Sequence, residues 1–188
     1  MKTTRLGLLL LAFAMATHAE KFTVDPSHAD IGFSIKHLMV SKVKGAFNTF
    51  EGTLDYDIAN KELKSVQGSI STASIDTNNE KRDEHLKAAD YFNIQNYPEM
   101  EFQSTSVEKQ VDGSFEITGN LKVLGVDHQI VLPVTINGPV DDPWGNQRIG
   151  IESAAVLNRR DLGITNSPAA MIGDEVTISI NAEATFKP

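Results

Sequence analysis

The sequence predicts a mainly β fold, an antiparallel sandwich or barrel of eight to ten strands, interrupted by one helix. Three observations predict it. Apolar residues recur at every second position through seven segments of the 188-residue chain. Turn-forming residues separate those segments. One stretch alone, residues 77–93, changes to helical spacing.

The alternation is direct to read. Ile31, Phe33 and Ile35 alternate with small or polar neighbours, as do Phe50, Gly52, Leu54 and Tyr56. Met100, Phe102, Ser104 and Ser106 follow, then Phe115, Ile117, Gly119, Leu121 and Val123. Ile130 to Ile136, Ile149 to Leu157 and Val176 to Phe186 complete the set. Side chains point alternately to the two faces of a strand, so this pattern buries one face and wets the other, as antiparallel sheets do. Asp112-Gly113, Asn137-Gly138-Pro139 and Asp142-Pro143-Trp144-Gly145 mark turns between runs.

Residues 77–93 read as an amphipathic helix. Thr77 and Glu80 have capping-box spacing. Asp83 and Lys87 form a favourable i,i+4 pair, and Arg82, Leu86, Ala89 and Phe92 fall on one face. Tyr97-Pro98 stops the unit, because the residue before proline avoids helix. On an antiparallel barrel such a helix packs across a mouth or an edge. A second irregular stretch, residues 158–174, combines Gly163, Pro168 and Gly173 with Leu162, Ile164, Met171 and Ile172. A loop this apolar is expected to fold back onto the rim.

The N-terminus is different in kind. Lys2 and Arg5 precede an uncharged apolar run, Leu6 to Ala16, then Thr17-His18-Ala19 and Glu20. This is the layout of a cleavable secretory signal peptide, with cleavage after Ala19 and a single domain over 20–188. The run is too short for a span, which needs about 20 residues. No Cys follows it, which excludes a lipoprotein anchor, and no later run is long enough for a membrane span. Losing the first nineteen residues leaves 169 and moves the net charge from −8 to −10.

Composition narrows the function. An acidic chain lacks the basic surface that meets phosphates, so no nucleic-acid partner is expected. Zero Cys removes disulfides, thiol nucleophiles and Cys-based metal sites. No G-x-S-x-G, H-E-x-x-H, P-loop or G-x-G-x-x-G occurs. His28 and His37 are nine apart and would face opposite sides of one strand. No metal, cofactor or catalytic residue is therefore assigned. Arg82 and Asp83 are adjacent and diverge by about 100° on a helix, which favours a structural role, with His85, over an acid–base site. Arg159 and Arg160 either hold an oxyanion head group or are solvated or paired with Asp161. Periodicity cannot separate a filled barrel from a hollow one. Small residues at inward positions (Ser104, Gly119, Ser153, Ala155 and Ala182) tilt the reading toward hollow.

Several motifs occur in a recognisable order. They are Asp25-Pro26-Ser27-His28, Phe33-Ser34-Ile35-Lys36-His37-Leu38, Gly45-Ala46-Phe47 and Phe50-Glu51-Gly52. The block Thr77-Asn78, Arg82-Asp83, His85-Leu86, Ala89-Asp90 and Tyr97-Pro98 is the most specific. Phe102-Gln103-Ser104-Thr105-Ser106, Gly119-Asn120-Leu121, Leu124-Gly125-Val126, Asp142-Pro143-Trp144-Gly145 with Arg148, and Arg160-Asp161-Leu162-Gly163 follow. Over nearly all of residues 20–188 the chain resembles the YceI-like family of bacterial polyisoprenoid-binding proteins. It departs from the pattern at Leu162, where an aromatic is common, and at Lys122, Asp127 and Gln129-Ile130.

The resemblance implies an extended antiparallel lipocalin-like β-barrel with a lid helix and a long hydrophobic tunnel. It also implies a periplasmic location, binding of an isoprenoid or other long-chain lipid, a homodimer and no catalytic residue. On that tunnel the candidate ligand-binding residues are Phe33, Ile35, His37, Phe47, Phe92, Phe102, Ile117, Leu121, Leu132, Ile151, Leu157, Arg160, Ile164 and Ile178. The leading expectation is a binding or carrier protein for a quinone or prenyl phosphate. The alternatives are an enzyme acting on such a lipid and a ligand-free structural or stress-response protein.

Overall fold

The computed structural model describes residues 19–188. The signal-peptide expectation falls almost wholly on residues outside that range. Ten strands form one sheet: β1 (Glu20–His37), β2 (Ser41–Phe47), β3 (Phe50–Asp57), β4 (Glu62–Ser71), β5 (Ile75–Asp76), β6 (Glu99–Lys109), β7 (Phe115–Val123), β8 (Val126–Asp141), β9 (Gln147–Asn158) and β10 (Ile172–Phe186). One helix, α1 (Glu80–Lys87), stands between β5 and β6. No helix among the described residues is long and apolar enough to cross a membrane.

The sheet closes on itself. Its order runs β10-β9-β8-β7-β6-β4-β3-β1, and β1 pairs back to β10, giving an antiparallel barrel of eight strands. Long β1 makes this possible by changing partners. Its first residues pair with β3 (Phe22 opposite Leu54), and its last pair with β2 (Phe33 opposite Gly45). An irregularity between Asp25 and Ala29 separates the two halves. Closure removes the unpaired edges that an open sheet would expose.

The inner face holds two apolar clusters. The larger gathers Phe22, Leu54, Tyr56, Phe115, Ile117, Ile149, Ile151 and Ala184 around one end. Phe22 is wholly buried, with Tyr56 and Phe186 rings 6.2 and 5.7 Å from its own. The smaller places Phe47, Ile75, Met100 and Val123 at the other end, beneath Leu86, Phe92, Leu162 and Ile164 of the irregular segments. The acidic residues Glu101, Glu116, Glu152 and Glu175 sit on the wet outer face.

The helix is shorter than its sequence spacing suggests. It starts at Glu80, because Asn79 rather than Thr77 is the cap and its side chain accepts from the Arg82 N–H. It ends at Lys87, because Ala88 turns extended, and turns carry the chain to Tyr97. Leu86 is its only apolar residue, so its inner side is not a broad apolar stripe. The irregular loop spans 159–171, between β9 and β10, and folds onto the rim as its apolar content requires.

Candidate functional site

Between the two apolar clusters the barrel encloses a cavity of about 590 Å³. That lies within the usual range for ligand pockets, roughly 300–1,000 Å³. The strands supply its walls through their inner faces. Of the residues singled out by sequence, Phe33, Ile35, His37, Phe47, Phe92, Phe102, Ile117, Leu121, Leu132, Ile151, Leu157, Ile164 and Ile178 line it. Arg160 does not. Its guanidinium lies outside, donating to Asp174 Oδ1 at 2.6 Å and to the carbonyls of Thr165 and Ser167.

The small inward residues serve two purposes. Ser153 and Ala182 face the cavity and leave it open. Gly119 instead makes room for an aromatic ring. A Cβ there would overlap the ring of Phe102 on the neighbouring strand, and Gly45 stands in the same relation to Phe33. Each glycine lets a ring lie against the wall instead of projecting across the bore. Ser104 is used differently again, accepting the Val66 N–H at 2.9 Å.

Helix α1 is fixed by a polar knot. Asp83 is buried and accepts from both the N–H and the hydroxyl of Thr77. Arg82 donates through Nε to the Thr77 hydroxyl and through Nη2 to its carbonyl, both at 2.7 Å. Adjacent on the helix, the two side chains were expected to diverge. They converge because Thr77 lies before the helix and offers a different atom to each. Among the described residues nothing accepts from Arg82 Nη1, and Arg82 borders the cavity.

The facing loop is organised by Arg159, only 3 % exposed. Its guanidinium donates to the carbonyls of Ile164, Asn166, Ser167, Ile172 and Gly173 and to Asp174 Oδ1. Burial and the neighbouring Arg160 charge lower its pKa from the ordinary arginine value, while Asp174 and Tyr91 oppose the shift. Asp161, the partner suggested by sequence, bonds to neither arginine. Asp174 takes both.

Two contacts tie the lid to this loop. The Tyr91 and Ser167 hydroxyls lie 2.9 Å apart, and Asn166 donates to Asp90 at 2.7 Å. His85 packs edge-on against Tyr91 at 4.8 Å, and its nearest carboxylate is Asp90 at 3.6 Å. Arg82, His85, Tyr91, Ser167 and His37 thus put polar atoms at one end of a cavity whose lining is predominantly apolar. Tyr91 and Ser167 were missed by sequence reasoning. They are 76 residues apart, and no local spacing joins them.

The other polar cluster lies outside the barrel. Ligand atoms of Asp25, His28 and Glu183 come within 4.8 Å of one another. Arg148 already occupies this group, donating to Asp25 at 3.0 Å and to Glu183 at 2.6 Å. Hydrogen bonds from Ser27, Arg148 and His28 hold the Asp25 carboxyl well below the ordinary carboxylate range.

This geometry defines a class: a lipocalin-like antiparallel barrel with an apolar interior, a short lid helix and a pinned loop. Within that class the particular family is also clear. Residues 22–184 match the model of the YceI-like domain, and the chain belongs to the YceI-like family. It is 36 % identical to the YceI protein of Salmonella newport, covering 97 % of both chains. A UPF0312 protein of Pectobacterium atrosepticum is 38 % identical, over 86 % of this chain and 84 % of that one. The crystal structure of Campylobacter jejuni YceI superimposes with a TM-score of 0.75 at 33 % identity, covering 81 % of this chain and 90 % of that one. A polyisoprenoid-binding domain from Saccharophagus degradans shares the fold, with a TM-score of 0.63 at 14 % identity, over 89 % of this chain and 98 % of that one.

Proposed function

We propose that the protein binds a long-chain amphiphile, an isoprenoid lipid such as a quinone or prenyl phosphate, and carries it through the periplasm. The observation behind this reading is the apolar cavity of about 590 Å³ inside a closed barrel. A lipid tail of ten buried methylenes gains about 8 kcal/mol at ~0.8 kcal/mol each, before ordering costs. The polyisoprenoid-binding domain of Saccharophagus degradans supports the same ligand class on the same fold. Our reading assigns the head group to the lid end, where no described residue accepts from Arg82 Nη1 and His85 also borders the cavity.

An enzymatic role for Arg82, Asp83, His85 and Arg160 is disfavoured. Asp83 is committed to Thr77, and Arg160 to Asp174 and two carbonyls. Calorimetric titration of delipidated protein with a prenyl phosphate and with a quinone tests the carrier reading. Both are expected to bind. Arg82→Gln is expected to weaken the phosphate about tenfold, the scale of a charge-assisted hydrogen bond, and to spare the neutral quinone. Binding of neither compound would refute the reading.

A further inference from the structure

We propose that the β1–β2 hairpin tip docks onto an anionic lipid bilayer and holds the cavity mouth against it. This rests on the carrier reading, since it says where the lipid is loaded or released. The tip is Leu38-Met39-Val40, with exposures of 51, 58 and 84 %. Met171, half exposed, joins it from the facing loop, and its carbonyl accepts the Leu38 N–H at 2.7 Å. His37 and Met171 both border the cavity, so this apolar tip stands at its rim.

Three lysines frame the tip. Ile35, His37 and Val43 face inward, so alternation turns Lys36, Lys42 and Lys44 outward, and all three are exposed. None of them forms an ion pair among the described residues. Glu175 on neighbouring β10 makes no bridge to them, and Asp174 is taken by Arg159 and Arg160. In a chain of net charge −8, this is a local basic belt around an apolar point. Lysines flanking inserted apolar side chains are the pattern that binds anionic head groups.

Two local features are unfavourable for the isolated protein. Leu38 and Met39 both hold left-handed backbone, with φ of 50° and 58°, where Asn-Gly would be relaxed. Lys36 and Lys42 sit directly opposite each other across the strands, and like charges in that position repel. A bilayer neutralises the lysines and takes up the apolar side chains that the left-handed turn holds out to solvent. A second copy of the same chain would bring the same lysines together, so charge favours the lipid surface.

Flotation of the purified protein with vesicles of phosphatidylethanolamine and phosphatidylglycerol, against pure phosphatidylcholine, tests this. Binding is expected only to the anionic vesicles and is expected to fall at least tenfold at high salt. The double variant Leu38→Asn with Met39→Gly is expected to fold with equal or greater stability and to lose at least tenfold in vesicle binding. Replacing all three lysines by Gln is expected to do the same to binding. A wild type that ignores anionic vesicles, or a double variant that binds them as before, overturns the proposal. So does a dimer that the double variant dissolves in the absence of vesicle binding. Leu121→Trp, which narrows the cavity, is expected to keep vesicle binding. Loss of lipid uptake in the wild type with vesicle binding intact would therefore refute the carrier reading alone.

Discussion

Arg159 holds the loop because one guanidinium supplies five donors in a fixed fork, and the carbonyls of Ile164, Asn166 and Ser167 in the loop and of Ile172 and Gly173 at the start of β10 converge on it. Arg159→Ala strands those carbonyls, each at about 1–3 kcal/mol when buried. Part of the loop will open to water instead, so a net loss of about 3 kcal/mol is expected in urea unfolding. Arg159→Lys should recover little, because an ammonium has three donors and no fork. Arg160 is half-buried and shares Asp174, so Arg160→Ala should cost about 1 kcal/mol or less. Asp25 gives a pH test. Its folded pKa is depressed by Ser27, Arg148 and His28, so its contribution is present above the ordinary value of 3.8 and fades as pH falls below it. Thermal midpoints between pH 6 and pH 2 should fall more steeply in the wild type than in Asp25→Asn. The sequence left both arginines open between an oxyanion site and a solvated or Asp161-paired role, and the structure gives them Asp174 instead. Their acceptors lie up to 15 residues away, across a loop whose path no periodicity encodes.

Most strands were legible because closure leaves them with a dry face and a wet face, whereas β2, β4 and two-residue β5 show no such alternating run. Lid and loop were legible only as interruptions. The Thr77–Glu80 spacing suits a capping box, yet Thr77 is spent on Asp83 and Arg82, and Asn79 caps in its place. A cap is decided by which side chain is free, and that depends on contacts six residues apart in sequence. Gly119 shows the same limit, since it reads as empty space but accommodates Phe102. Gly119→Val should drive that ring into the bore. The expected result is a loss of about 1–3 kcal/mol in stability and a larger loss of lipid affinity, measured by titration.

Eight to ten alternating strands were legible in the residues themselves, whereas barrel closure and a tunnel came from the family resemblance, with the small inward residues only tilting toward a hollow interior. Inward Leu, Ile and Phe have the same period whether their tips meet or stop short. Stability and binding consequently separate along the barrel axis. Phe22 lies in the solid end, and Phe22→Ala should cost about 3–5 kcal/mol in chemical unfolding. Leu121 lines the cavity, and Leu121→Trp should block the ligand at a smaller cost in stability. Native mass spectrometry of the protein, purified from cells without detergent or added lipid, tests the central claim most directly. The wild type should show an added mass that organic extraction identifies as an isoprenoid lipid, and Leu121→Trp should show the bare chain. A wild-type spectrum of the bare chain alone, with no lipid in the extract, would contradict the account.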